Sequence, residues 1–199
     1  VQTYLAEDDV EGAIAMLETR VEQRPEDVRA FFLKGQLEAA SGDIEAAAAA
    51  FEAAIELAPG WLQPYRRLAA LHRAQGEVDA ALAVYDRGLD AVPDAPVLLN
   101  ERGETLALAG RHDEAIPIYA QLLELRPDSD LVANNYAALV ADHAFDDEAA
   151  LARAREATER FRASNNGWHL NTLGWVYYRL GDHALARTYL ERAVAQIDD

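Results

Sequence analysis

Residues Leu170–Val194 read LNTLGWVYYRLGDHALARTYLERAV. Leu173, Gly174, Tyr177 and Leu180 recur at helical spacing, and Ala186, Leu190, Ala193 and Val194 draw a second apolar stripe. Between them stands Gly181-Asp182. Glycine tolerates the left-handed backbone that ends a helix, and aspartate caps the next one. Two helices this short cannot bury their own apolar faces, so the pair must be one copy of a repeated unit.

The copies lie upstream. Pro25, Pro59, Pro93 and Pro127 are each thirty-four residues apart, and Gly42, Gly76 and Gly110 keep the same step. A small residue sits in each first helix, at Gly35, Ala69, Gly103, Ala137 and Gly174. Another sits early in each second helix, at Ala13, Ala47, Ala81, Ala115 and Ala186, with Phe51, Tyr85, Tyr119 or Leu190 four positions on. Small residues let two helices approach, and the large one fills the gap beside them. Proline then stops the second helix.

This pattern resembles the tetratricopeptide repeat family. Tyr65, Leu68, Ala69, Gly76, Ala81, Tyr85 and Pro93 fit its signature, and so do Leu170, Leu173, Gly174, Tyr177, Gly181, Ala186 and Ala193. The resemblance covers nearly the whole chain. It implies an all-α, right-handed superhelical solenoid of antiparallel helix pairs, whose concave groove binds a protein or peptide. The expected units are 1–27 (partial), 28–61, 62–95, 96–129, 130–166 and 167–199. The fifth is irregular: its break at Asp142–Asp146 has no glycine, it is three residues longer, and Phe161–Asn166 takes the place of the closing proline. Pro117 falls inside a second helix and should bend it. The chain starts without methionine and in mid-unit, with Tyr4 where a first-helix tyrosine belongs, so it reads as a fragment of a longer protein.

Composition narrows the function. Without cysteine there is no disulfide framework and no thiolate metal site. No apolar run approaches a transmembrane span, so this segment does not insert into a membrane. A net charge of -17 opposes nucleic-acid phosphate and anionic lipid. Seventeen arginines against the single Lys34, in an alanine-rich acidic chain, suit a bacterial source, cytoplasmic or envelope-associated. The histidines show no zinc-protease spacing, and the serines Ser41, Ser129 and Ser164 fall at helix ends. His143 beside Asp142, Asp146 and Asp147 reads as a solvated turn in preference to a metal site. No catalytic residue, metal ligand or cofactor site is expected, and the chain reads as a non-enzyme.

In the family, the first helix of each unit lines the groove. Mapped by position, the groove candidates are Phe32, Gln36, Arg66, Arg67, Arg73, Asn100, Glu104, Asn134, Asn135, Asn171, Trp175 and Arg179. Asn100, Asn134 and Asn171 share one position, where an amide either pairs with a peptide backbone or faces water. Arg66, Arg67 and Arg73 either receive a carboxylate or phosphate or form a solvated face. Trp175 is either a binding anchor or a contact between units. The clamp by which some family members hold a chaperone's C-terminal carboxylate is absent, since Phe32, Gln36, Arg67, Val97 and Glu101 stand at its places. The stretch Asn171–Tyr178, with Asn134-Asn135 before it, is similar to bacterial envelope-associated members that accompany exopolysaccharide export. Besides groove binding, two other roles stay open: a spacer or self-assembly module of an envelope protein, or the targeting domain of an enzyme. Tyr178, Leu185, Tyr189 and Val194 at the last unit would meet a next unit, so a homo-oligomer through the repeat ends is a possible partner arrangement.

Overall fold

The computed structural model describes residues 9–197. Among them are eleven α-helices, one 3-10 helix and no strand. The helices are α1 Val10–Gln23, α2 Val28–Ser41, α3 Ile44–Leu57, α4 Leu62–Ala74, α5 Val78–Ala91, α6 Pro96–Leu108, α7 His112–Leu125, α8 Asp130–His143, α9 Glu148–Thr158, α10 Gly167–Arg179 and α11 His183–Ile197. The 3-10 helix, Glu159–Ala163, follows α9 directly. The Tyr4-Leu5 stub lies outside the described residues. The helices gather into two compact units, one ending at Leu98 and one beginning at Leu99.

The punctuation works as its residue types dictate. Gly42, Gly76, Gly110 and Gly181 all have positive φ, between 75° and 92°. There only glycine avoids a clash of Cβ with backbone. Asp9, Asp27, Asp43, Ser129, Asp147, Asn166 and Asp182 each accept a hydrogen bond from a first-turn amide of the next helix. Such caps are each worth about 1 kcal/mol. The second helices α1, α3, α5 and α7 all end two residues before their proline. α7 runs through Pro117, which is exposed, without interruption.

Each pair closes on its small residue. A Cβ on Gly174 would come within 2.7 Å of Leu190, and one on Gly103 within 3.0 Å of Tyr119. In the alanine run, Ala47 and Ala50 are buried against the partner helix and Ala49 faces water. The sole lysine, Lys34, pairs at 2.8 Å with Glu38, which is buried.

Between repeats the stitching is done by arginine. Arg87 holds Glu52 with two nitrogens at 2.7 and 2.8 Å. Arg153 donates to the Ala120 carbonyl, Arg160 to those of Pro127 and Ser129, and Arg192 to those of Arg162 and Ser164. A planar guanidinium can serve two oxygens of a neighbouring turn at once, which an ammonium does less well. The arginine excess therefore has a structural use, beyond any hint about source.

In the irregular repeat, Phe161 replaces the proline by filling space. It is buried and stacks on His169 with centroids 4.2 Å apart. Nearby, Tyr177 donates to Glu159 at 2.8 Å and accepts from Arg162. At the last pair, Tyr189 is buried within the chain itself and Leu185 is half-buried, while Tyr178 and Val194 are exposed.

Candidate functional site

In the unit that begins at Leu99, α6, α8 and α10 are the first helices of their repeats. Asn100, Asn134 and Asn171 hold equivalent places on them and are all half-buried. The Oδ1 atoms of Asn100 and Asn134 are shut off from water and accept no hydrogen bond. A buried acceptor left without a donor costs about 1–3 kcal/mol. Asn135, one residue on, is used differently, because a helix turns about 100° per residue. It hydrogen-bonds the phenol of Tyr119 on α7. Burial pushes the Tyr119 phenol up from its ordinary pKa, and the Asn135 bond offsets part of that.

α8 and α10 pack together, and exposed aromatics crowd their ends. Trp168 is 71% exposed, Tyr178 46% and Trp175 39%, all on α10. Phe145, in the loop after α8, is 46% exposed. Trp175 and Tyr178 meet edge to face at 5.4 Å. Amid them lies the Arg179 guanidinium, 4.0 Å from the centre of the Phe145 ring and 5.8 and 5.9 Å from those of Trp175 and Tyr178. Its Nε donates to the Ala141 carbonyl in the last turn of α8 at 2.7 Å. A cation at a helix C-terminus also meets the negative end of its dipole. Trp175 and Arg179, four residues apart on one helix, thus stand together. The sequence mapping misses Phe145. Its only signal is a large apolar residue in a break where four other repeats carry glycine followed by a charged residue.

In the other unit, Phe32 is half-buried and packs on Trp61 at 4.6 Å and Phe51 at 5.8 Å, so its ring belongs to an aromatic cluster. Gln36, Arg66 and Arg73 are half-buried and Arg67 is exposed. Arg66 and Arg73 have interaction partners of their own, as does Glu104 on α6. His143 stacks face to face on His112, with centroids 3.5 Å apart and an interplanar angle of 7°. Among the described residues no three His, Asp or Glu side chains group as they would around a metal ion. No described helix is long and apolar enough to cross a membrane.

On the second-helix side, a cleft of about 340 Å³ is lined by Leu123, Pro127, Arg153, Glu156 and Arg160. Both of its arginines are already bound to carbonyls and to Glu124 or Asp130. It is therefore poorly suited to an anion. The aromatic and asparagine face of α6, α8 and α10 is the better site.

Comparison with known proteins agrees with this architecture. A family model described as tetratricopeptide repeat matches residues 1–60 and 66–130, and a second with the same description matches 170–196. No curated protein matches. Among solved structures, YrrB, described as a TPR protein with an unusual peptide-binding site, is 18% identical with a TM-score of 0.70. The match covers 92% of this chain and 93% of that one. MamA from Desulfovibrio magneticus is 17% identical with a TM-score of 0.67, covering 86% and 95%. A tetratricopeptide repeat protein from Parabacteroides merdae is 18% identical with a TM-score of 0.62, covering 98% and 76%. At these identities the likeness is one of fold.

Proposed function

The chain belongs to the tetratricopeptide repeat family and is built as a protein-interaction scaffold, and on that premise we propose that it holds an extended peptide segment along α6, α8 and α10. The observation that carries this reading is the alignment of three half-buried asparagine amides, Asn100, Asn134 and Asn171, at equivalent places on these three first helices. An asparagine amide donates from one end and accepts at the other, and half a turn about its last bond exchanges them. A peptide backbone offers both an N–H and a C=O at every residue, so it can satisfy such an amide in either orientation. Asn171 stands at the same place on α10, though without a buried unpaired oxygen, and Trp175 supplies a large ring of the kind that anchors interfaces. Peptide binding of this sort needs neither catalytic group nor cofactor, and the repeat family is in general not enzymatic. With a net charge of -17, nucleic acid is disfavoured as a partner.

The test is a selection of phage-displayed random dodecapeptides on the 199-residue chain. The affinity of the best synthetic peptide is then measured by calorimetry on the wild type and on Asn134→Ala. The loss of one hydrogen-bonding amide should weaken binding about tenfold and leave the melting temperature nearly unchanged. Equal affinity for the two proteins would overturn the reading.

A further inference from the structure

Arg179 differs from its fellows in its aromatic surroundings: Arg153, Arg160, Arg162 and Arg192 each lie over one ring, and Arg179 lies among three. Arg20, Arg87, Arg111, Arg153, Arg160, Arg162 and Arg187 are all paired with a carboxylate. Arg179 is bound by the Ala141 carbonyl and by three aromatic rings, and no carboxylate among the described residues pairs with it. Its plane is fixed on one side by Phe145 and at its Nε by the carbonyl. That leaves the two terminal nitrogens, which form the fork that best receives a carboxylate. The surrounding rings lower the local polarity, which strengthens such a contact once a ligand covers it.

We propose that the peptide bound by this face carries an aspartate or glutamate beside an apolar residue, and that Arg179 receives the carboxylate while Trp175 and Tyr178 receive the apolar neighbour. The inference rests on the peptide-binding reading above. Charge complementarity at the Arg179 fork, local and set against the chain's net charge of -17, identifies the occupant. The acid is an internal side chain, because exposed rings from two elements flank the Arg179 guanidinium: Trp175 and Tyr178 on α10, and Phe145 in the loop after α8. A segment touching both sets must run past the guanidinium and cannot end at it. Arg179 is thereby a specificity-determining residue of the face as well as a clasp between α8 and α10.

Two dodecapeptide libraries test this, one displayed with a free C-terminus and one fused at both ends. Each is selected on the wild type, on Arg179→Gln and on Asn134→Ala. The wild type should enrich an internal Asp or Glu next to an aromatic or aliphatic residue in both libraries. Arg179→Gln should keep the apolar preference and lose the acid. In the best synthetic peptide, exchanging that Glu for Gln should weaken binding to the wild type about tenfold, the worth of one charged hydrogen bond. This exchange alters only the ligand, so it decides the matter even if Arg179→Gln fails to fold. The proposal is overturned if the enriched peptides lack an acid, if Arg179→Gln retains the acid preference, or if only free C-termini are enriched. Neutral peptides that bind the wild type and are lost on Asn134→Ala would sink this inference alone. No enrichment in either library would sink the peptide-binding reading with it.

Discussion

Gly35 and Phe51 stand so close that a Cβ on Gly35 would meet the Phe51 ring at 2.8 Å and the Ala47 backbone oxygen at 3.1 Å. Two effects oppose each other in Gly35→Ala. Alanine is the better helix former by about 1 kcal/mol. Overpacking a tight core contact costs about 1–3 kcal/mol. The ring is buried and the second contact is backbone, so neither neighbour can yield cheaply. The overpacking should win, giving a net loss of up to about 2 kcal/mol and a melting temperature lower by a few degrees. Adding Phe51→Leu to the same chain should restore part of the loss. A Gly35→Ala protein as stable as wild type would show that the pair has room to spare.

Asp27 caps α2 through the Ala30 amide at 3.0 Å and holds Arg20 at 2.7 Å. The Arg20 hydrogen bond first, then that of Ala30, keep its carboxyl below the ordinary carboxylate value. A depressed folded pKa means the contribution is present above the unfolded pKa, about 3.9. It is lost as pH falls through the folded value. Arg20 is largely exposed, so the cap is the larger part. Asp27→Ala should cost about 1 kcal/mol at neutral pH, and the gap to wild type should close as pH drops below about 4. Urea denaturation midpoints across that range check it. A gap that persists undiminished in strong acid would mean that the carboxylate charge is not involved.

Much of the fold was legible because its causes are local. Proline two residues beyond four of the second helices, glycine at positive φ and an acid or amide at the N-cap all act within a few residues. The Gly35–Phe51 and Gly174–Leu190 contacts are less local, yet their constant sixteen-residue separation exposes them. The candidate site is another matter. Asn134 and Asn135 look equivalent on the page, but only the first leaves an oxygen unpaired, while the second turns to Tyr119. Phe32 fits a groove position, and the sequence gives no sign that its ring also packs on Phe51 and Trp61. Phe145 meets Arg179 from the glycine-free break after α8, and no other repeat carries a Phe, Tyr or Trp at its break to announce such a contact.

Four tyrosines link stability to alkaline pH. Burial raises the phenol pKa of Tyr65, Tyr119, Tyr136 and Tyr177 above the ordinary value, and in each case it is the largest cause. For Tyr177, the hydrogen bond from Arg162 opposes this shift and the one to Glu159 adds to it. A raised folded pKa has the opposite sign to the Asp27 case. The neutral phenol is favoured in the folded chain, so the contribution is complete below the unfolded pKa, about 10. It disappears as pH rises through the folded values, because the unfolded chain releases those protons first. The arginines stay charged throughout. Stability should therefore hold up to about pH 9 and then fall steeply toward pH 11, faster than a single titrating group allows. Loss of helical circular dichroism should coincide with the rise of tyrosinate absorbance, since these phenols ionise on unfolding. Tyr177→Phe removes one hydroxyl, costing about 1 kcal/mol at neutral pH through its lost hydrogen bonds, and should flatten the alkaline decline. Tyrosinate absorbance that rises fully while the helices remain intact would refute the linkage.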